Sequence, residues 1–224
     1  MKYLKKFENA AALQSWQKSA NHVNPNVVLI GTSEIQYDVP ALLGVFIQHI
    51  DGSLYTTDKW TAGGFANDQA QGVAVLAENA EFVIAKANIS GTNRWSSYAD
   101  GDSSGVFTTK EETVARTDFA GKANTEAMLS LDTSGAGYSC ANYTFPNGAK
   151  GYLPSFGEMA VAYTYKSAIN SALALIGGTA LSNQNYWTST QYTPAWAWYF
   201  TWTNGTSKGY YKGNACYVRA FTML

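Results

Sequence analysis

The chain has 224 residues and a mass of 24.3 kDa, is 46% hydrophobic and carries a net charge of −1 at pH 7. A chain of this length can bury one sizeable core. Its net charge gives no overall positive field, which argues against binding to nucleic acid. The longest apolar run, residues 39–47, contains a proline and a glycine and is too short to span a bilayer, so membrane insertion is not expected.

Residues 1–41 are predicted to form an N-terminal appendage. The first six residues are positively charged, but no apolar stretch follows them, so no signal peptide is expected. Residues 8–18 have helical spacing, and residues 27–30 and 35–39 are typical of short strands. Because this segment buries little by itself, we expect it to anchor the protein to an assembly or to support oligomerisation.

A single globular domain is predicted over residues 42–224. Its first strands are expected at residues 44–50, where His49 is an ordinary strand residue, and at residues 53–57, 73–76 and 82–85. Residues 93–110 are polar and rich in Gly and Ser, which predicts a surface loop.

Three helices are predicted in the middle of this domain. The first covers residues 124–131, with Asn124 as its N-cap and Leu131 facing the core. The second begins after Ser155, because a Glu three residues later gives the spacing of a capping box. The third covers residues 167–176 and ends at paired glycines that suit a left-handed C-cap.

The last strands are predicted from an alternation of side chains. In residues 197–203 the rings of Trp198, Phe200 and Trp202 alternate with smaller or more polar neighbours. This period of two places the three rings in the core and displays the neighbours. The dipeptide at 204–205, Asn-Gly, favours a hairpin turn, with a returning arm to residue 214 and a closing strand over residues 216–222.

The chemistry of the chain argues against an enzyme. All sixteen acidic residues lie at or before Glu158, so the last third offers neither a carboxylate pair nor a calcium cage. The two histidines, His22 and His49, have no partners at metal-ligand spacing. Neither a catalytic residue nor a metal or other cofactor is therefore expected.

Residues 192–217 have the composition of a binding surface. Nine of these 26 residues are aromatic, and most others are small and polar. Aromatic side chains give large contact areas at low entropic cost, as in antibody paratopes. The alternative at this point is a tyrosine-rich sheet surface without a ligand.

Several motifs resemble the C-type-lectin-fold variable proteins of diversity-generating retroelements. The matching segments are Leu153-Pro154-Ser155-Phe156-Gly157-Glu158, Tyr186-Trp187-Thr188-Ser189-Thr190-Gln191 and Val218-Arg219-Ala220-Phe221. The resemblance covers residues from about 42 to 224 and implies an α+β, C-type lectin fold with two or three short helices, antiparallel strands and long loops. The best-known member type is a phage tropism determinant, a receptor-binding protein of the tail fibre.

The resemblance also implies a variable region at about residues 187–222, in which mutagenesis rewrites displayed codons. Trp196 departs from the pattern, because Trp cannot arise from an Asn codon by changing adenines. The implied scaffold residues are Trp187, Trp198, Phe200, Trp202, Gly205, Lys212 and Arg219. The implied ligand-binding positions are Tyr192, Thr193, Ala195, Trp196, Tyr199, Thr201, Thr203, Thr206, Ser207, Gly209, Tyr210, Tyr211, Gly213, Asn214, Ala215, Cys216 and Tyr217. Because mutagenesis would have produced Cys216 by chance at a variable position, a disulfide between Cys140 and Cys216 is not expected.

Calcium-dependent sugar binding is not expected, because the sugar motifs of the wider lectin fold are missing. A sugar could still stack on exposed aromatic rings such as Tyr199, Tyr210, Tyr211 or Trp196.

These observations favour a non-catalytic phage or prophage tail adhesin, located in the virion or, before release, in the bacterial cytoplasm. Its partners would be a cell-surface protein or glycan and, through residues 1–41, the tail assembly or sister subunits. The alternatives are an enzyme of the formylglycine-generating type, which needs two nearby reactive cysteines, and a purely structural fibre domain.

Overall fold

A computed structural model describes residues 43–97 and 103–224, together with the backbone of two short strands near the N-terminus. These strands are β1 (Lys5–Phe7) and β2 (Val27–Leu29), and they pair in parallel. The strand predicted at 27–30 is confirmed. The predicted helix at 8–18 and the strand at 35–39 lie outside the described residues.

The largest sheet has five antiparallel strands in the order β12-β6-β5-β3-β4. All residues of its central strand are buried, so layers cover both faces of the sheet. The first four predicted strands of the domain are all found here, but the second is short because Thr56 already caps a helix. The strands are β3 (Gly44–His49), β4 (Leu54–Tyr55), β5 (Ala70–Leu76), β6 (Glu81–Ile84) and β12 (Phe221–Thr222).

A second antiparallel sheet holds the predicted hairpin. Its order is β10-β9-β8, with β8 at Asn185–Thr193, β9 at Trp196–Thr201 and β10 at Ser207–Tyr211. Two further strands, β7 (Asn93–Arg94) and β11 (Ala215–Cys216), form a small antiparallel pair.

The described residues form six α-helices, so the fold is mixed α+β, but the prediction of two or three helices is wrong. The helices that were not predicted are α1, α2 and α4. In chain order the helices are α1 (Thr57–Gly63), α2 (Glu112–Ala115), α3 (Gly121–Leu131), α4 (Gly135–Asn142), α5 (Phe156–Thr164) and α6 (Lys166–Leu175). None of them is long and apolar enough to cross a membrane.

The predicted ends of the helices are only partly correct. Helix α3 begins three residues before Asn124, whose buried amide instead donates to Asp118 Oδ2 at 2.9 Å. Leu131 is 41% exposed rather than in the core. The capping box at the start of α5 is confirmed, as is the left-handed glycine after α6, Gly177 with φ 69°.

Two hydrophobic cores lie on opposite sides of the strands. Successive side chains of β5 point to opposite cores, with Val73 and Val75 in the first core and Ala74 in the second. Strand β9 divides in the same way, because Trp198 and Phe200 enter the first core and Ala197 enters the second. The hairpin is therefore held by both cores.

Candidate functional site

The hairpin β9–β10 is anchored by the three predicted rings. Trp198, Phe200 and Trp202 are 4%, 1% and 0% exposed, which confirms that they face the core. Helix α5 meets them edge-on: the Phe156 ring centroid lies 5.2 Å from that of Trp198, and the Tyr163 centroid lies 5.5 Å from that of Trp202. Such aromatic contacts fix the backbone of β9.

The turn of this hairpin is longer than the two residues that were predicted. Thr201 N donates to Thr206 O at 2.8 Å, so four residues lie between the bonded pair. Gly205 adopts φ 73°, and Asn204 Oδ1 accepts from Thr206 N and Oγ1 at 3.2 and 2.8 Å. The longer turn allows Trp202 to enter the core instead of continuing the strand.

The displayed residues lie on two faces of the hairpin, because residues directly opposite in an antiparallel pair share a face. Lys208 is opposite Tyr199, and Tyr210 is opposite Ala197. We call the surface of Tyr199 and Tyr210 the tyrosine face. Lys208 leaves the strand on this side, but its side chain also lines the groove described below. Gly209 instead is opposite Trp198, on the other side of the sheet.

The tyrosine face is a compact aromatic cluster. The rings of Tyr199 and Tyr210 meet edge-on at 5.5 Å, and Trp187 lies 5.9 Å from Tyr210. Burial raises the pKa of Tyr199, so its hydroxyl is neutral. Ala197, which lies on this side of β9, is fully buried in the second core, so only the later part of β9 is displayed here.

The other face of the hairpin forms one side of a groove of about 580 Å³. Its lining residues are Lys110, Glu112, Tyr192, Thr193, Trp196, Trp198, Ser207, Lys208 and Gly209.

The segment that leads to α2 supplies Lys110 to this groove and is attached to the hairpin sheet by hydrogen bonds. Gln191 N donates to Phe107 O at 2.9 Å, Thr109 N donates to Gln191 O at 3.0 Å, and Trp198 Nε1 donates to Thr109 O at 2.8 Å.

Phe107 and Thr108 are exposed and lie outside the named strands, with one isolated bridge from Thr108 to Gln191, so the predicted surface loop is found here. The prediction is wrong at residues 93–96, where Asn93–Arg94 form β7 and Trp95 is fully buried.

Two groove residues, Lys110 and Glu112, were not predicted. Glu112 accepts from Arg116 Nη2 and Nε at 2.6 and 3.1 Å. They were missed because nothing in their own sequence links them to a strand 80 residues later.

Gly209 and Tyr192 depend on each other in the groove. A methyl group on Gly209 would lie 2.6 Å from Tyr192 Cδ1, closer than carbon atoms approach. The Tyr192 ring also meets Trp198 edge-on at 4.9 Å. Position 209 accepts a side chain only if the ring at position 192 changes or moves.

Cys216 does not belong to the displayed surface. It is 4% exposed, and burial raises its pKa to about 12. The closing strand predicted around it is interrupted, with Val218 to Ala220 buried between β11 and β12. Cys140 is also a buried free thiol.

The other predicted binding positions are all at least partly exposed, and their contact with a ligand stays a prediction. They are Tyr192, Thr193, Ala195, Trp196, Tyr199, Thr201, Thr203, Thr206, Ser207, Gly209, Tyr210, Tyr211, Gly213, Asn214, Ala215 and Tyr217.

Lys212 is fully buried beneath the hairpin. Its Nζ donates to Gln191 Oε1 at 2.5 Å and to Ser103 Oγ at 3.3 Å, and it lies 4.6 Å from the centroid of the Trp95 ring. This residue connects the chain after β10 to β8 and to the segment at Ser103.

The sequence motifs at residues 153–158 and 186–191 form hydrogen bonds with each other. Ser189 N donates to Pro154 O at 2.8 Å, and Phe156 N donates to Thr190 Oγ1 at 2.8 Å. Thr190 Oγ1 in turn donates to the buried Asp118 at 2.7 Å. These bonds attach β8 to the N-terminus of α5.

Arg219 of the third motif is buried and connects three segments. It donates to Asn88 Oδ1, Ala85 O and Thr179 O at 2.7, 2.8 and 2.9 Å. Burial lowers its pKa to about 10. Because each of these bonds goes to a neutral oxygen, the guanidinium has a structural role and holds the three segments together.

Within the described ranges, no group of three or more His, Cys, Asp or Glu side chains could hold a metal ion.

Comparison with known proteins gives a likeness of fold. The chain is similar to a solved structure described as a fimbrial protein from Bacteroides ovatus ATCC 8483, with a TM-score of 0.57 and 16% identity. The likeness covers 88% of this chain and 52% of that one, so this chain spans about half the length of the fimbrial protein. No family model and no curated protein matches the sequence.

Proposed function

We propose that the protein is a non-catalytic ligand-binding protein, and that the β9–β10 hairpin presents its contact surface. The proposal rests on the separation of buried and accessible side chains in this hairpin. Trp198, Phe200 and Trp202 are buried, while Tyr199 and Tyr210 remain accessible on a backbone fixed by two cores. Such a scaffold allows displayed side chains to vary at little cost to folding.

We further propose that the chain has the C-type lectin fold and is a variable protein of a diversity-generating retroelement. The mutual bonds of the first two motifs and the buried ties of Arg219 support a role of these segments as fixed scaffold. The flanking DNA tests this part. A nearby copy of the codons for residues 186–222, differing opposite adenines and adjacent to a reverse transcriptase gene, is expected; its absence would remove the retroelement from the proposal.

In this proposal the protein is an adhesin of a phage or prophage tail, and residues 1–41 anchor it to the particle. Its ligand is a protein or glycan on the surface of a target cell. The buried state of both thiols supports a non-catalytic role. A nucleophilic cysteine needs access and a lowered pKa, whereas burial raises the pKa of Cys140 and of Cys216.

A structural fibre or fimbrial subunit is the second candidate. The fold likeness to a fimbrial protein is the observation that favours it. In that case the tyrosine face would contact a neighbouring subunit, and the protein would associate with itself.

Binding to cells by the fluorescently labelled protein separates the two candidates. We expect the protein to bind some members of a panel of bacterial strains, and Tyr199→Ala combined with Tyr210→Ala to weaken that binding. The control is Tyr138→Ala, which removes a tyrosine of similar exposure, 40%, on α4. Absence of cell binding, together with self-association that the double substitution abolishes in sedimentation, would favour the structural subunit instead.

A further inference from the structure

We infer that the groove beside the hairpin binds an acidic sugar, a pyranose that carries a carboxylate. This inference rests on the proposed binding function and names a ligand class for one of its two faces. The groove volume, about 580 Å³, is within the usual range for small-molecule sites and accommodates one or two sugar rings.

An exposed tryptophan in the groove provides the platform for the sugar. Among the tryptophans of the described residues, Trp196 is 42% exposed, while all the others are at most 4% exposed. An indole ring offers a flat apolar surface with a polar edge. The C–H face of a pyranose matches such a surface in size and polarity.

The charges around the platform favour an anion. Lys110 and Lys208 line the groove from two different segments, and the ammonium group of neither forms an ion pair or hydrogen bond within the described part of the chain. The acidic lining residue, Glu112, is already paired with Arg116 at 2.6 Å. A carboxylate in the groove therefore meets two uncompensated ammonium groups.

A buried hydroxyl beside the groove offers a further polar partner to a sugar. Ser207 lines the groove, and its Oγ has no hydrogen-bond partner in the described structure. A buried hydroxyl without a partner is unfavourable, and a sugar hydroxyl that lies next to it can donate to it or accept from it.

Two matched probes test the inference with the full chain. Methyl glucuronide carries a carboxylate where methyl glucoside carries a hydroxymethyl group, and the rings are otherwise the same. Binding is followed by NMR titration of the indole signals. We expect the glucuronide to bind roughly five- to tenfold more tightly than the glucoside, with the difference reduced as salt screens the charges.

Three variants assign the contacts. Lys110→Gln combined with Lys208→Gln is expected to remove the preference for the glucuronide and to leave glucoside binding unchanged. Trp196→Ala is expected to abolish binding of both probes. Lys122→Gln, at an exposed lysine on α3 outside the groove, is the control and should bind as the unmodified protein does.

Several outcomes would overturn the inference: equal affinity for the two probes, no effect of the paired lysine substitutions, or binding of polyglutamate in place of the uronide. Absence of uronide binding while the tyrosine-face variants still weaken attachment to cells would sink this inference and leave the proposed function intact. Absence of attachment to any cell together with uronide binding at Trp196 would contradict the proposed function and leave this inference intact.

Discussion

Glu158 is a buried carboxyl group that links the N-terminus of α5 to its surroundings. Its Oε2 accepts from Ser155 N at 2.7 Å, and its Oε1 accepts from Tyr152 OH at 3.0 Å. Burial outweighs these bonds and raises the pKa of Glu158 from 4.5 to about 7. Between these pH values the folded protein holds a proton that the unfolded chain has released. The stabilising contribution is therefore complete at low pH and lost as the pH rises through 7.

The first prediction concerns this residue. From about pH 5 to about pH 8, the free energy of unfolding should fall by ~2 kcal/mol because of Glu158. Glu158→Gln should remove most of that slope, as measured by urea unfolding at several pH values. The exposed Glu126 on α3 provides the control, since Glu126→Gln should keep the slope. Identical slopes for the two variants would contradict the assignment.

At the scale of elements, strand β9 places core and surface residues next to each other. Phe200 is 1% exposed and packs against Phe156, with ring centroids 5.7 Å apart. The adjacent Thr201 is half-buried, and its hydroxyl donates to Asn185 at the sheet surface.

The second prediction compares these neighbours. Phe200→Ala should cost about 3–5 kcal/mol of the free energy of unfolding, because it leaves a cavity in the first core. Thr201→Ala should cost under about 1 kcal/mol, because it removes only a surface hydrogen bond. Denaturant unfolding of both variants measures the difference. A cost at Thr201 as large as that at Phe200 would mean that the hairpin does not separate scaffold from display.

The third prediction concerns two displayed positions on neighbouring strands. Gly209→Ala should destabilise the protein by about 1–3 kcal/mol, because the new methyl group overlaps the Tyr192 ring. In the Tyr192→Ala background the same change should cost little, giving a coupling free energy of about 1 kcal/mol or more in a double-mutant cycle. Additive costs would show that the displayed positions vary independently.

The elements that the sequence predicted correctly are those with a strong local signal. The alternation around Trp198 and the capping box at Ser155 both depend on a few adjacent residues. Helix α4 has no such signal, since its glycines favour a loop. It forms because Gly135, at φ 83°, passes close to Trp95 O, and because Gly137 lets α4 approach Met128. Contacts between distant segments therefore decide its conformation.

The candidate site could be predicted only on one side for the same reason. The hairpin was identified from its own residues, whereas the groove residues Lys110 and Glu112 lie on a segment that is placed by bonds between Gln191 and residues 107–109. The burial of Cys216 was missed because its partners in the second core lie far away in the sequence. The alternation of side chains around Cys216 did not indicate that this strand is buried on both faces.

At the scale of the whole molecule, one sheet joins the two ends of the region after residue 42. The five-stranded sheet begins at Gly44 and is completed by Phe221, whose N and O atoms also bond with Tyr152 at 3.0 and 2.7 Å. The first and last segments of this region are therefore joined through a single sheet, as expected for a unit that folds by itself.

The fourth prediction follows from this closure. Removal of residues 1–41 should leave a folded protein that shows one cooperative thermal transition and retains its near-ultraviolet signal from the buried tryptophans. Under the proposed function, attachment to cells should persist because the hairpin is intact, while incorporation into the particle should be lost because residues 1–41 are the proposed anchor. Differential scanning calorimetry, circular dichroism, the cell-binding assay and particle sedimentation measure these four properties. Truncation together with Phe200→Ala is the matched control and should lower the transition temperature. A truncated chain that fails to fold would mean that the N-terminal residues belong to the cores and that the proposed division between anchor and binding domain is wrong.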